Sequence, residues 1–249
     1  MLDLIGSIVG MAAIGINLVA FTGALGGSLA RRLGLAAMAG GWVGLATHFA
    51  ATGLLAFSPN RAVPGVAGLF AVPLLAAGAL ALGSRRARAA LLAVPTSLLI
   101  GLNALRVLGV LFLFLAADGR LSGPFPFAAG LGDIVTGAFA IPLALSVARG
   151  HARSSTVRSW NLFGALDLVV AIGLGLSSAS GSPVHWINVG VGSQAMQYLP
   201  FALVPTVLVP FYLVTHALVA VQLASQTRNA RPAAPRGDTK LLFAQTRDS

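Results

Sequence analysis

The chain has 249 residues, of which 9% are charged and 57% are hydrophobic. Its apolar residues come in blocks of roughly twenty, the length that crosses a hydrocarbon core of ~30 Å, which excludes an ordinary soluble domain. The formal net charge of +10 would fit a nucleic-acid-binding protein, but the basic residues stand in short connections and in a C-terminal tail. Membrane topology explains that distribution better, so we expect a lipid bilayer as the partner and no nucleic acid.

The chain contains no cysteine, and its basic residues are arginines except for Lys240. Without cysteine, disulfides, thiolate chemistry and cysteine-ligated metals are excluded. The composition, rich in alanine, glycine and arginine, is typical of proteins encoded by GC-rich bacterial genomes. We therefore expect a multi-pass protein of a bacterial inner membrane.

Seven apolar segments follow one another along the chain, which predicts an all-α polytopic bundle of about seven spanning helices. They cover residues 2–25, 33–57, 66–82, 91–116, 127–148, 159–176 and 198–223. Turn-forming residues interrupt the pattern at 58–60, 83–86, 119–126 and 181–183. No basic residue precedes the first segment, which is also longer than the apolar core of a signal peptide. We expect it to be retained as a helix.

The basic residues alternate between the connections, and this alternation predicts the orientation. From the N-terminus onwards, the successive connections carry 0, 2, 1, 3, 1, 3, 0 and 5 arginines or lysines, so alternate connections hold thirteen against two. Basic connections stay in the cytoplasm. We expect the N-terminus outside and the C-terminus inside. Residues 1–224 then form the transmembrane domain, and the polar, basic residues 225–249 form a disordered cytoplasmic tail near anionic lipids.

Four ionisable residues lie deep inside predicted helices: His48, Arg106, Asp133 and Asp167. A charge at the bilayer centre costs ~2.5 to 3.5 kcal/mol on insertion scales, so such residues are candidates for a functional site. At 1.5 Å per residue they lie roughly 9 to 14 Å below the outer surface, in one layer near the midplane. Glycines share their helix faces, so we expect the side chains to point into the bundle. Asn103, one turn before Arg106, joins this predicted proton- or solute-binding site.

Two interpretations of these residues stay open. In the first, Arg106 pairs with Asp133 or Asp167 and locks helices together, as in a non-catalytic accessory or structural subunit that assembles with itself or with a partner. In the second, the site holds a mobile proton, because one arginine cannot neutralise two close carboxylates; one aspartate, or His48, is then protonated. A midplane site with a mobile proton is typical of a small proton-coupled solute transporter.

Residues 130–133 read Gly-Leu-Gly-Asp, which resembles the motif of one catalytic aspartate in intramembrane aspartyl proteases such as presenilins and prepilin peptidases. Such enzymes use two carboxylates that share a proton, and Asp167 is the candidate partner of Asp133. In those families the partner precedes the motif, whereas Asp167 follows it. Intramembrane proteolysis is therefore a remote alternative.

No cofactor is expected. By the same depth estimate His216 lies near the cytoplasmic end, roughly 13 Å from the layer of His48, which argues against a bis-histidine haem. Lys240 is in the tail, so no helix offers a Schiff base for retinal, and the chain lacks a P-loop. The long uncharged segment 177–197 contains Trp186, which we expect to anchor the membrane interface. The alternative is a lid over an outward-facing pocket.

A pattern over the second half of the chain resembles uncharacterised bacterial polytopic membrane proteins. It consists of Arg-Val-Leu-Gly at 106–109, Gly-Leu-Gly-Asp at 130–133 and Trp-Asn-Leu-Phe-Gly-Ala-Leu-Asp at 160–167. The resemblance implies a bacterial membrane protein and brings no activity with it.

Overall fold

The structure is a computed structural model that describes residues 1–57, 65–187 and 189–229. Within these ranges the chain forms helices and no strand. The helices are α1 (Leu2–Ala24), α2 (Leu29–Ala51), α3 (Gly65–Gly83), α4 (Arg85–Leu92), α5 (Thr96–Ala117), α6 (Phe125–Ala148), α7 (Ser154–Ser178) and α8, which is a π-helical turn (Val204–Leu208) continued by an α-helix (Val209–Asn229).

All of these helices except α4 are long and apolar enough to cross a bilayer. The predicted all-α fold with seven membrane-spanning helices is therefore confirmed, and the protein is a multi-pass membrane protein. Helices α2 and α7 begin before their apolar segments do, since polar residues occupy their first turns. In α2 the Ser28 side chain caps the helix by accepting a hydrogen bond from the Arg31 amide at 3.3 Å.

The bundle has two faces, which we name by what lies there. The N-terminal face holds the start of α1, α3, α6 and α8. The arginine-rich face holds the start of α2, α5 and α7. Flanking arginines of the second face are Arg31, Arg32, Arg85, Arg86, Arg88, Arg149, Arg153 and Arg158. The described connections of the N-terminal face contain one arginine, Arg120, which forms an ion pair with Asp3 at 2.7 Å.

Helix α4 is a short amphipathic helix at the arginine-rich face, with no buried residue. It takes up the beginning of the segment predicted over 91–116. Pro95 separates it from α5, because proline lacks an amide donor and restricts the residue before it. The Gln222 amide then donates to the backbone carbonyls of Leu92 and Val94 at 3.0 and 2.8 Å and secures this break to α8.

Two spanning helices depart from regular α-geometry, α5 near its middle and α8 at its start. Residues Asn103–Gly109 of α5 form a 3₁₀ segment between two α-helical pieces, and α8 opens with its π-helical turn. Pro210 of α8 has no backbone N–H that could donate to the Thr206 carbonyl oxygen. The Trp42 indole N–H donates to that oxygen instead, at 3.1 Å. Such 3₁₀ and π segments are frequent at hinges and functional sites.

The half of the bundle next to the arginine-rich face is filled by a hydrophobic core. Its largest members include Ile100, Trp160 and Leu223, and it joins residues of α5, α6, α7 and α8. At the other end, the described residues of 179–203 form a long connection across the N-terminal face. This connection is tied to the α5–α6 loop by Ser122, whose Oγ accepts a hydrogen bond from the Gly192 amide at 2.8 Å.

Helix α8 continues to Asn229, past the predicted start of the tail at residue 225. Residues 230–249 of that predicted tail lie outside the described part of the chain, as do residues 58–60 of the first predicted turn. Trp186, the predicted interface anchor, is 74% exposed in the connection over the N-terminal face.

Candidate functional site

The side chain of Arg106 is the centre of a buried polar cluster, and its residue is only 2% exposed. Its Nε donates to Asp133 Oδ1 at 2.6 Å, and its Nη2 donates to Asp167 Oδ2 at 2.5 Å. Its Nη1 lies 3.1 Å from the Gly164 carbonyl oxygen and 3.0 Å from His216 Nε2. One guanidinium therefore joins the four helices α5, α6, α7 and α8 in the bundle interior.

Glycines allow these helices to come close enough for the cluster to form. A Cβ on Gly109 would lie 2.5 Å from the Cβ of Asp133, and a Cβ on Gly130 would lie 3.0 Å from the Gly109 carbonyl oxygen. A Cβ on Gly132 would overlap the Asp167 carboxylate. The two glycines of the Gly-Leu-Gly-Asp motif thus have a packing role: each gives α6 room against a neighbouring helix.

The prediction that His216 lies near the cytoplasmic end, outside the cluster, is wrong. It assumed a helix over residues 198–223, but residues 198–203 belong to the preceding connection and the spanning helix runs over Val204–Thr227. The polar residue Gln222 does not end the helix, because its amide has partners in the α4–α5 break. His216 therefore lies at the middle of α8, where its ring reaches Arg106.

The hydrogen bonds of His216 define its tautomer. Arginine has no acceptor, so Nε2 accepts from Arg106, and Nδ1 carries the hydrogen that it donates to Asn161 Oδ1 at 2.9 Å. Asn161 Nδ2 returns a bond to the His216 carbonyl oxygen at 3.1 Å. The Trp160 ring packs against the imidazole, with centroids 5.2 Å apart. The imidazole is neutral, adds no positive charge, and has both nitrogens engaged, so neither is free to ligate a haem or a metal.

His48 and Asn103 lie apart from the guanidinium. His48 is exposed on α2, with its ring against Phe49, because the buried positions of that helix are Val43, Ala46 and Ala50. The expectation that His48 points into the bundle is thus not met.

Asn103 is 1% exposed, and its Nδ2 donates to the Leu99 carbonyl at 2.9 Å and to Thr215 Oγ1 at 3.2 Å. It links α5 to α8 on the arginine-rich side of Arg106. Its role in these contacts is to hold the two broken helices together.

Two further polar residues of the site were missed by the sequence analysis. Asn17 of α1 is 1% exposed and donates to the Tyr212 hydroxyl at 3.0 Å. The Tyr212 ring in turn lies 5.8 Å from the Arg106 guanidinium carbon, a distance at which a ring face attracts a cation. The signal that would have found them is an uncharged polar residue near the middle of an apolar segment, as Asn17 and Tyr212 are.

Two cavities lie in the half of the bundle next to the N-terminal face, and Asp133 lines both. The first cavity has a volume of about 260 Å³ and is also lined by Arg106 and Tyr212. The second has a volume of about 150 Å³ and extends towards Gln197 of the 179–203 connection. The residues that line both are Phe112, Asp133, Leu168, Val204 and Val209. Asp133 therefore links the polar cluster to two largely apolar chambers.

The charges of the cluster do not balance when both carboxylates are ionised. Arg106 is the cation that bonds both Asp133 and Asp167, whose side chains are 16% and 8% exposed, and the histidine is neutral. Two anions and one cation leave one negative charge in a region shielded from water. A bound proton or a bound cation would neutralise it, and Asp133 is the group that a ligand in the cavities can reach.

Among the described residues, no group of three histidines and aspartates is placed to hold a metal ion.

Comparison with protein families finds a match over residues 63–224 to a domain of unknown function, DUF8737. The matched region contains Arg106, Asp133, Asp167 and His216, whereas Asn17 precedes it. Comparison with curated proteins and with solved structures finds no match.

Proposed function

The chain belongs to the DUF8737 family, and from the geometry of its site we propose that it is a small proton-coupled solute transporter. The observation that carries the proposal is the carboxylate of Asp133, which bonds Arg106 at 2.6 Å and also lines two cavities. The Asp133 carboxylate is therefore in contact both with the charged groups of the cluster and with any solute bound in a cavity.

The proposed coupling follows from the charge balance. When Asp133 is ionised, the cluster carries one net negative charge. When a proton binds Asp133, the charge-assisted bond to Arg106 weakens, and Arg106 and Asp167 remain as a neutral pair. Protonation thus changes the contact that joins α5 to α6, and Arg106 makes this contact from within the 3₁₀ segment Asn103–Gly109. Broken helices of this kind are typical of transporter binding sites.

The distribution of space supports a carrier that is closed on one side. Both cavities lie towards the N-terminal face, whereas the hydrophobic core that includes Ile100, Trp160 and Leu223 fills the other half. The arginines favour a cytoplasmic location for the arginine-rich face, so the chambers lie in the outer half of the membrane. We place the protein in a bacterial inner membrane, as its composition indicates.

The second candidate function is a structural or accessory subunit that moves no solute, alone as a homo-oligomer or with a partner subunit. The observation in its favour is the saturation of Arg106: each of its three guanidinium nitrogens has a partner, and with His216 these partners lie on the three helices α6, α7 and α8. Such a network would lock a bundle without any transport. An intramembrane aspartyl protease is supported less, because its two carboxylates share a proton around one water. Here a guanidinium bonds both carboxylates.

The experiment that separates transporter from structural subunit uses purified protein in proteoliposomes with an internal pH-sensitive dye. Small solutes are added one at a time with and without a pH gradient, and proton movement is recorded for the wild type, Asp133→Asn and Asp167→Asn. The transporter predicts solute-dependent proton flux that folded Asp133→Asn loses. A wild type that moves no proton with any solute, together with variants that only lose folded protein, would overturn it.

A further inference from the structure

The smaller cavity has a lining that favours an organic cation. Four phenylalanines contribute to it: Phe57, Phe70, Phe112 and Phe125. The rings of Phe112 and Phe125 lie 5.8 Å apart by centroid. Phenyl rings attract cations through their negative faces, and cages of such rings recognise quaternary ammonium groups. The Asp133 carboxylate lines the same cavity and supplies the opposite charge.

Asp133 retains hydrogen-bonding capacity for such a ligand. Its Oδ1 accepts from Arg106 at 2.6 Å, and within the described residues no side chain donates to its Oδ2. A carboxylate has about four lone-pair sites, so the second oxygen can face a cation in the cavity. The residual negative charge of the cluster is thus presented to the chamber by this residue.

Gln197 provides a second, independent sign of a ligand. It is 4% exposed, it lines the same cavity, and its Nε2 is a buried donor without a partner in the described part of the chain. The orientation of its amide is fixed because Oε1 accepts the backbone amide hydrogen of Phe57 at 2.8 Å. A buried unpaired donor costs ~1 to 3 kcal/mol, so a ligand oxygen that accepts a hydrogen bond from Gln197 Nε2 would remove this cost.

We propose that this cavity binds a small ammonium alcohol, with its cationic end among the phenylalanines beside Asp133 and its hydroxyl oxygen accepting from Gln197. An apolar cavity of about 150 Å³ holds a molecule of roughly six or seven non-hydrogen atoms, the size of choline. The inference rests on the proposed function in one respect: the bound molecule would be the transported solute. Binding itself does not depend on transport.

The test is equilibrium binding to the purified full chain, with choline and two ligands of the same shape. Propyltrimethylammonium replaces the hydroxyl by a methyl group, and 3,3-dimethylbutanol replaces the cationic nitrogen by carbon. We expect choline to bind at least tenfold more tightly than either analogue. Equal binding of choline and the neutral alcohol, or no saturable choline binding, would overturn the inference.

Matched variants assign each part of the preference to its residue. Gln197→Leu should abolish the tenfold preference for choline over propyltrimethylammonium and keep the preference for choline over 3,3-dimethylbutanol. Asp133→Asn should abolish the preference for choline over 3,3-dimethylbutanol and keep the preference for choline over propyltrimethylammonium. Asp3→Asn, at the exposed pair with Arg120, removes a carboxylate away from the cavity and should leave all three affinities unchanged. A Gln197→Leu variant that keeps the full hydroxyl preference would contradict the assigned orientation.

The outcomes separate this inference from the transporter proposal. If choline binds with the expected preferences but drives no proton flux in proteoliposomes, the site stands and the transporter is wrong. If choline does not bind while another solute drives proton flux that needs Asp133, the transporter stands and the ligand class is wrong.

Discussion

Removal of Arg106 is the most informative single perturbation of the cluster. Arg106→Gln leaves the carboxylates of Asp133 and Asp167 without their cation, and it also removes donors from the Gly164 carbonyl oxygen and His216 Nε2. Asp133→Asn, by contrast, leaves one cation and one anion still bonded at 2.5 Å. The two variants therefore change the charge balance in opposite directions.

The expected losses of unfolding free energy follow from these contacts. Leaving a buried charge without its partner costs ~3 to 5 kcal/mol, so Arg106→Gln should lose about that amount. Asp133→Asn gives up one charge-assisted bond, worth ~1.5 to 3 kcal/mol, and gains a balanced pair, so its loss should be clearly smaller. Replacing both aspartates by asparagine in the Arg106→Gln background removes the unpaired charges. That triple variant should therefore recover part of the lost stability.

The measurement is equilibrium unfolding in mixed micelles with increasing SDS, followed by the loss of tertiary fluorescence. Asp3→Asn is the control, since its ion pair with Arg120 is exposed and should contribute less than ~1 kcal/mol. The reasoning would be refuted if Asp133→Asn were as destabilising as Arg106→Gln. It would also fail if the triple variant lost the sum of the single losses, because the carboxylates would then not be the origin of the cost.

Two further predictions concern packing and orientation. Gly164→Ala places a Cβ 2.6 Å from the His216 ring and should cost ~1 to 3 kcal/mol in the same unfolding assay, whereas Gly173→Ala in the same helix meets nothing within 4 Å and should not destabilise; equal losses would contradict the close approach of α7 and α8. Since the chain has no cysteine, Trp186→Cys should react with an impermeant maleimide in intact cells and Arg31→Cys only after permeabilisation, and the reverse result would invert the proposed orientation.

The spanning helices could be predicted from the sequence because a bilayer imposes a length and an apolar composition on each one. Length and composition are properties of a single segment, so they can be recognised without knowing which residues pack against it. The same locality explains the error at His216. Its depth depends on where α8 begins, and that start is decided by how residues 198–203 pack in the connection over the N-terminal face.

The sequence by itself determined which residues are expensive to bury: Arg106, Asp133 and Asp167 stand out because charge inside an apolar segment has a known cost. Only the tertiary structure decided that one guanidinium bonds both carboxylates, that His216 completes the cluster and that His48 faces away from it. The physical reason is that hydrogen-bond partners are set by helix rotation and approach. Glycines on several helices together determine how closely the helices approach. The hydrogen-bond partners therefore cannot be read from any single segment.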